Sequence, residues 1–253
     1  MIKVDHKKIL EHAMRNIDEA EKWHKRTNVR EIVFGFNDGS ISLLALLAGV
    51  TGGSFAQGHI IAVGISGVIA GAISMGIAAY ISSKSEIEHH RSEINREKIE
   101  IEQVPEVEKE EIRIMYRNKA SFNDEEINMI VNRITSDEEV WLDVMMKEEL
   151  GLIEKRFEPP FKIGLIMLTA FLAGGMIPIL PFFLIPTPLN SLIISAILTY
   201  LSLFIIGCWK TTFTDRHWIV SGLEMVGIGI VAAIIPYLIG EVLLSLVLTG
   251  AFT

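Results

Sequence analysis

Glu97 and Glu100 stand three residues apart, as do Glu108 and Glu111 beyond Pro105, so on helices each pair shares one face. Met145 and Met146 precede Glu149 by four and three residues, a spacing that lets two thioethers and a carboxylate line up on one helical face. Carboxylates bind hard divalent cations, and thioethers shift the preference toward softer transition metals. The competing reading is an ordinary solvated acidic surface, since Glu93, Glu102 and Glu110 stand among the pairs and the ExxE spacing recurs by chance.

A second set of residues lies in apolar surroundings. Asp38 sits inside VFGFNDGSISLLALL, where an ionised carboxylate costs roughly 2.5–3.5 kcal/mol unless it faces a polar cavity or a partner. It reads either as a cation or proton site, or as a helix cap near the headgroups. Met75, within AGAISMGIAAY, offers a soft ligand or simple packing. Two ExxH pairs, Glu21/His24 and Glu86/His89, have the spacing of di-iron carboxylate centres, though chance explains them as well. The small-residue pairs Gly35/Gly39 and Gly67/Gly71 permit close helix approach, including across a dimer axis. Glu224 and Glu241 lie near the ends of the last apolar block, where solvation accounts for them.

The elements that must position these residues are helices. Half of the 253 residues are hydrophobic, only 21% are charged, and the mean hydropathy is +0.39. The apolar residues come in five blocks, about 32–50, 60–82, 161–185, 189–209 and 218–248. A bilayer core of roughly 30 Å needs about 20 apolar helical residues, so each block is a predicted span. The expected fold is an all-α integral membrane protein with five transmembrane helices and a helical metal-binding insert between the second and third. Its divisions are an amphipathic N-terminal helix over 1–30, spans over 31–83, the insert over 84–160 and the remaining spans over 161–253. Gly174, Gly175, Pro178 and Pro181 predict a broken third span that lines a cavity. The last block is longer than one crossing needs, so its tail is expected to tilt, to kink at Pro236 or to leave the membrane.

The insert is a different solvent world: residues 84–162 hold 13 basic and 21 acidic residues. The second span should continue as a polar helix to Val104 and break at Pro105. A helix from Glu106 to about Lys119 follows, then a short one entered through Ser121–Asp124 and ending near Ile134. The last has Ser136 and Glu139 as a capping box and ends at Gly151 in the left-handed conformation.

Positive charge sets the orientation. All 23 Lys and Arg lie in 1–30, in 84–162 or at Lys210 and Arg216, and the other two connections and the C-terminal tail have none. The positive-inside rule then places the N-terminus and insert in the cytoplasm and the C-terminus outside. The single cysteine, Cys208, excludes a disulfide scaffold, and a net charge of −8 without a basic stripe excludes a nucleic-acid partner. The charged N-terminus predicts no cleavable signal peptide.

In order along the chain, FGFNDGSISLLALLAGV, AGAISMGIAAYISSKSE, REKIEIEQVPEVEKEE, WLDVMMKEELGL, GGMIPILPFFLIP and FTD resemble the vacuolar iron transporter (VIT) family, from about Arg30 to the end. The resemblance implies a homodimer in a lipid bilayer that exports Fe²⁺ from the cytoplasm in exchange for protons, with Mn²⁺, Zn²⁺ or Co²⁺ as related cargo. It implies Asp38 and Met75 as the membrane metal site. It likewise implies Glu97, Glu100, Glu108, Glu111, Met145, Met146 and Glu149 as cytoplasmic ligands. The chain departs from the family at Gly67, where many members carry a glutamate, and this bears on how protons are coupled. The implied membrane is the plasma membrane in a prokaryote and the vacuolar membrane in a eukaryote. An iron-oxidising enzyme and a membrane-anchored metal sensor or buffer are the rival functions.

Overall fold

The computed structural model describes residues 29–152, 158–213 and 216–248, and its regular elements are all helical. They are α1 (Val29–Gly52), α2 (Gln57–Gln103), α3 (Pro105–Lys119), α4 (Asp124–Ile134) and α5 (Glu138–Val144), which runs into a π-helical turn at Met145–Glu149. Then come α6 (Pro160–Leu184), α7 (Pro188–Lys210), a 3₁₀ turn (Thr211–Phe213) and α8 (Trp218–Leu248). Among the described residues, α1, α2, α6, α7 and α8 are long and apolar enough to cross a membrane. The amphipathic helix expected over 1–30 lies almost wholly outside the described residues, and the Glu21/His24 pair entirely so. The chain divides into two compact units, one of residues 1–80 with 161–253 and one of residues 81–160.

In the first unit, Leu43, Leu44 and Leu47 of α1 are buried with Ile60, Val68 and Ala72 of α2 and Phe171, Ile179 and Phe182 of α6. Small residues set the distance between helices. A Cβ built on Gly39 would fall 2.3 Å from Phe171 O, and one on Gly174 would fall 2.1 Å from Phe36 O, so α1 and α6 touch backbone to backbone. The pair Gly35/Gly39 thus serves packing within the chain rather than a dimer axis, and a Cβ on Gly71 would strike the Phe171 ring at 2.4 Å.

The broken third span is corrected: α6 runs uninterrupted through Gly174, Gly175, Pro178 and Pro181. Pro236 lies inside α8. Pro178 and Pro181 remove the donors to Gly174 O and Ile177 O, while Phe171, Ile179 and Phe182 around them are buried against α1 and α2 and keep the helix continuous. Side chains of other elements bond carbonyls from Pro178 onward. Ser195 donates to Pro178 O, Gln57 Nε2 donates to Phe182 O at 2.5 Å and Ile185 O at 2.6 Å, and Ser191 donates to Ile185 O at 2.9 Å.

The second unit folds around its own core of Ile101, Ile112, Ile127, Val131, Ile134, Trp141 and Met145. Pro105 occupies the first turn of α3, where its missing N–H costs nothing, so the chain changes direction between two full helices. Asn123 caps α4 through a complete capping box with Glu126. The box expected from Ser136 and Glu139 does not form. Asp137 is the cap of α5, accepting from Glu139 N and Val140 N, while Ser136 Oγ bonds back to Arg133 O. An ionised Asp one residue later is the better acceptor at a positive helix end. Gly151 ends the segment at φ 63°, as expected.

Candidate metal site

Three elements supply the acidic residues. Glu97 and Glu100 lie on the last turns of α2, Glu108 and Glu111 on the first turns of α3, and Glu149 ends the π-turn. The reversal at Pro105 brings the first two pairs together. One carboxylate oxygen from each of Glu97, Glu100 and Glu108 lies within 4.8 Å of the others, and the same holds for Glu108, Glu111 and Glu149. Glu108 is common to both groups. Hard divalent cations take carboxylate oxygens at about 2.0–2.6 Å, so oxygens this close to one another can share an ion.

Burial makes the arrangement expensive without a cation. Glu97 is 1% exposed and Glu108 3%, and both oxygens of Glu97 and one of Glu108 are buried without a hydrogen-bond partner. Desolvation and then the carboxylates around it push Glu108 up to about 8. Desolvation also raises Glu97, opposed in part by its contact with Glu108. Glu149, though exposed, is raised to about 7 by desolvation and by the charges of Glu97, Glu111 and Glu100. Protons therefore occupy part of this site at neutral pH, and a divalent cation is the chemical alternative to them.

That balance has a thermodynamic consequence. Groups whose folded pKa is raised hold protons that the unfolded chain has released, so folding stability falls as pH rises from the ordinary glutamate value of 4.5 through about 7 and 8. The melting temperature of the metal-free insert within the full chain, followed by the fluorescence of Trp141 with Trp23, Trp209 and Trp218 replaced by Phe, is expected to decline across that window. Saturating Mn²⁺ should flatten the decline. A metal-free melting temperature that climbs between pH 5 and about 8 would contradict the assignment.

The acidic neighbours are engaged elsewhere or stand apart. Glu93 pairs with Arg96 at 3.1 Å and Glu110 with Arg113 at 2.8 Å, while Glu102 is exposed. Neither Glu86 nor His89 belongs to either carboxylate group, and His89 lies 4.0 Å from Glu93. Met145 and Met146 lie on the same segment as Glu149. Over Met145–Glu149 the helix is of π type, which adds a residue to the turn and changes which side chains align. Met145 is fully buried in the apolar core of the unit, and Met146 is buried outside that cluster.

The other candidates lie in the first unit. Asp38 and Met75, both half-buried, line one groove of about 330 Å³ with Ser42, Leu43, Leu46, Gly67, Gly71, Ser74 and Phe171. Ser42, whose hydroxyl donates to Asp38 O, and Ser74 were missed in the sequence, although each sits at helical spacing or adjacency to a chosen residue. Next to Asp38 on α1, Asn37 reaches α8, its Nδ2 lying 3.3 Å from Met225 Sδ. Glu224 is paired with Arg216 at 3.2 Å, in line with its bland reading.

The model of the VIT family matches residues 29–241 of the chain. Vacuolar iron transporter 1 of Arabidopsis thaliana is 34% identical over 214 residues, 85% of this chain and 85% of that protein. Vacuolar iron transporter of Plasmodium falciparum (isolate 3D7) is 34% identical over 238 residues, 90% of this chain and 87% of its own. Vacuolar iron transporter 2 of Oryza sativa subsp. japonica is 35% identical over 208 residues, covering 81% and 83%.

Proposed function

The chain belongs to the VIT family, and on that premise we propose that it carries Fe²⁺, with Mn²⁺ and related divalent cations as further cargo, out of the cytoplasm in exchange for protons. It is a multi-pass membrane protein of a transporter family rather than an enzyme. The observation that carries the reading is the meeting of two carboxylate groups at the buried Glu108, in a chain that also holds a carboxylate and a thioether in one groove among its apolar helices.

In this reading five helices cross the membrane, and residues 84–160 stand on the cytoplasmic side with the N-terminus. Glu97, Glu100, Glu108, Glu111 and Glu149 collect the cation and raise its local concentration. Met145 and Met146, on the segment that ends at Glu149, are the sulfur ligands of this reading. The groove at Asp38 and Met75 then takes the metal, completed by a second copy of the chain. Protonation of Asp38 from the far side releases the ion and resets the site.

Purified protein in liposomes containing a metal indicator and a pH-sensitive dye tests this. Fe²⁺ flux with opposite proton movement is the expected result. Metal binding without flux would overturn transport and favour a sensor or buffer. Oxygen consumption on adding Fe²⁺, again without flux, would favour an oxidase.

A further inference from the structure

Lys119 closes α3 and forms an ion pair with Glu148 of the π-turn. Neither residue belongs to a carboxylate group, yet the pair joins two of the elements that supply one. Glu108 and Glu111 precede Lys119 on α3, and Glu149 directly follows Glu148. The ammonium of Lys119 also lies 4.9 Å from the centroid of the Tyr116 ring, which restricts where it can point. Most other ion pairs of this unit link residues three or four apart in the chain, such as Lys109 with Glu106 at 2.7 Å and Lys147 with Asp143 at 2.6 Å.

The π-turn needs such a tie. It has five residues and follows a helix of only seven, too short to be stable by itself. It is closed by Leu150 N to Met145 O, long at 3.3 Å, and by Leu152 N to Met146 O at 2.8 Å, and π turns are rare beside α-helical ones. A small rotation of this turn would carry Glu149 away from Glu108 and Glu111.

We infer that Lys119 and Glu148 are positioning residues for the carboxylate site, clamping the π-turn to α3 so that Glu149 stays with Glu108 and Glu111. The inference deepens the proposed function and rests on its reading that these carboxylates bind the metal.

Charge alone argues for the opposite behaviour, which makes the clamp testable by sign. Lys119 is a cation on the element that carries two of the acids, and removing a cation from such a site strengthens its attraction for another. A clamp demands that the same removal weaken binding.

The measurement is a Mn²⁺ titration of the full chain in detergent, below the melting transition of every variant. Lys119→Met is expected to weaken Mn²⁺ binding about fivefold, the size that an exposed ion pair supports. Lys109→Met, which removes a positive charge from α3 without untying the turn, should bind as tightly as wild type or more so. The reversed pair Lys119→Glu/Glu148→Lys should recover wild-type affinity to within about twofold.

Unchanged or tighter binding in Lys119→Met would overturn the clamp, as would a reversed pair no better than the single variant. A wild-type chain that binds no Mn²⁺ at these carboxylates would overturn the clamp and the collecting role together.

Discussion

Asp38→Asn is expected to reduce Fe²⁺ flux at least about a hundredfold while the carboxylates of the insert bind metal as before. Asn fills the same space and keeps one polar oxygen, so the groove with Ser42, Ser74 and Met75 should hold its shape. The charge alone is lost. A divalent cation leaving water for a site between apolar helices must recover several kcal/mol of hydration, and a fixed carboxylate is the group in this groove best able to repay it. Losing even about 2.7 kcal/mol of that repayment slows passage about a hundredfold. Flux in liposomes and Mn²⁺ affinity in detergent, measured on the same preparation, separate the two sites. Flux within about threefold of wild type would remove Asp38 from the pathway.

Glu108→Gln should have two effects of opposite sign. Both carboxylate groups lose a member, so metal affinity is expected to fall by at least about tenfold, roughly 1.4 kcal/mol. The metal-free protein should become more stable at pH 9, because an ionised carboxylate that is 3% exposed among like charges has been replaced by a neutral amide. The stability gain should shrink as pH drops below about 8, where Glu108 in the wild type takes up its own proton. Melting curves at pH 6 and 9, with and without Mn²⁺, check both halves. A variant equally weakened at pH 6 and 9 without metal would mean that Glu108 serves only packing.

Much of the architecture could be read from patterns local in the chain. Apolar blocks long enough to cross a bilayer and a Pro105 that ends one helix and starts the next need no distant partner to be recognised. The same holds for a Gly151 fit for a left-handed turn and for glutamate pairs three apart. What misled was also local. Pro178 and Pro181 suggested a break in α6 because a helix considered alone has no donor for the freed backbone. In the fold, Phe171, Ile179 and Phe182 around the prolines are buried against α1 and α2, and that packing holds the helix continuous. Spacing along an α-helix did not foresee that Met145–Glu149 is a π-turn or that Met145 belongs to the apolar core of the unit.

By itself the sequence determined which residues could bind a cation and which segments were helical, since composition and i,i+3 spacing act over one or two turns. Only the tertiary structure decided which of them meet. It joined Glu108 to both carboxylate groups, left Glu93 and Glu110 to their arginines, and set Asp38 and Met75 along one groove. Those outcomes depend on how helices turn back and pack on one another, and in the membrane unit on whether Gly39 and Gly174 have a Cβ; no spacing within one helix carries that information.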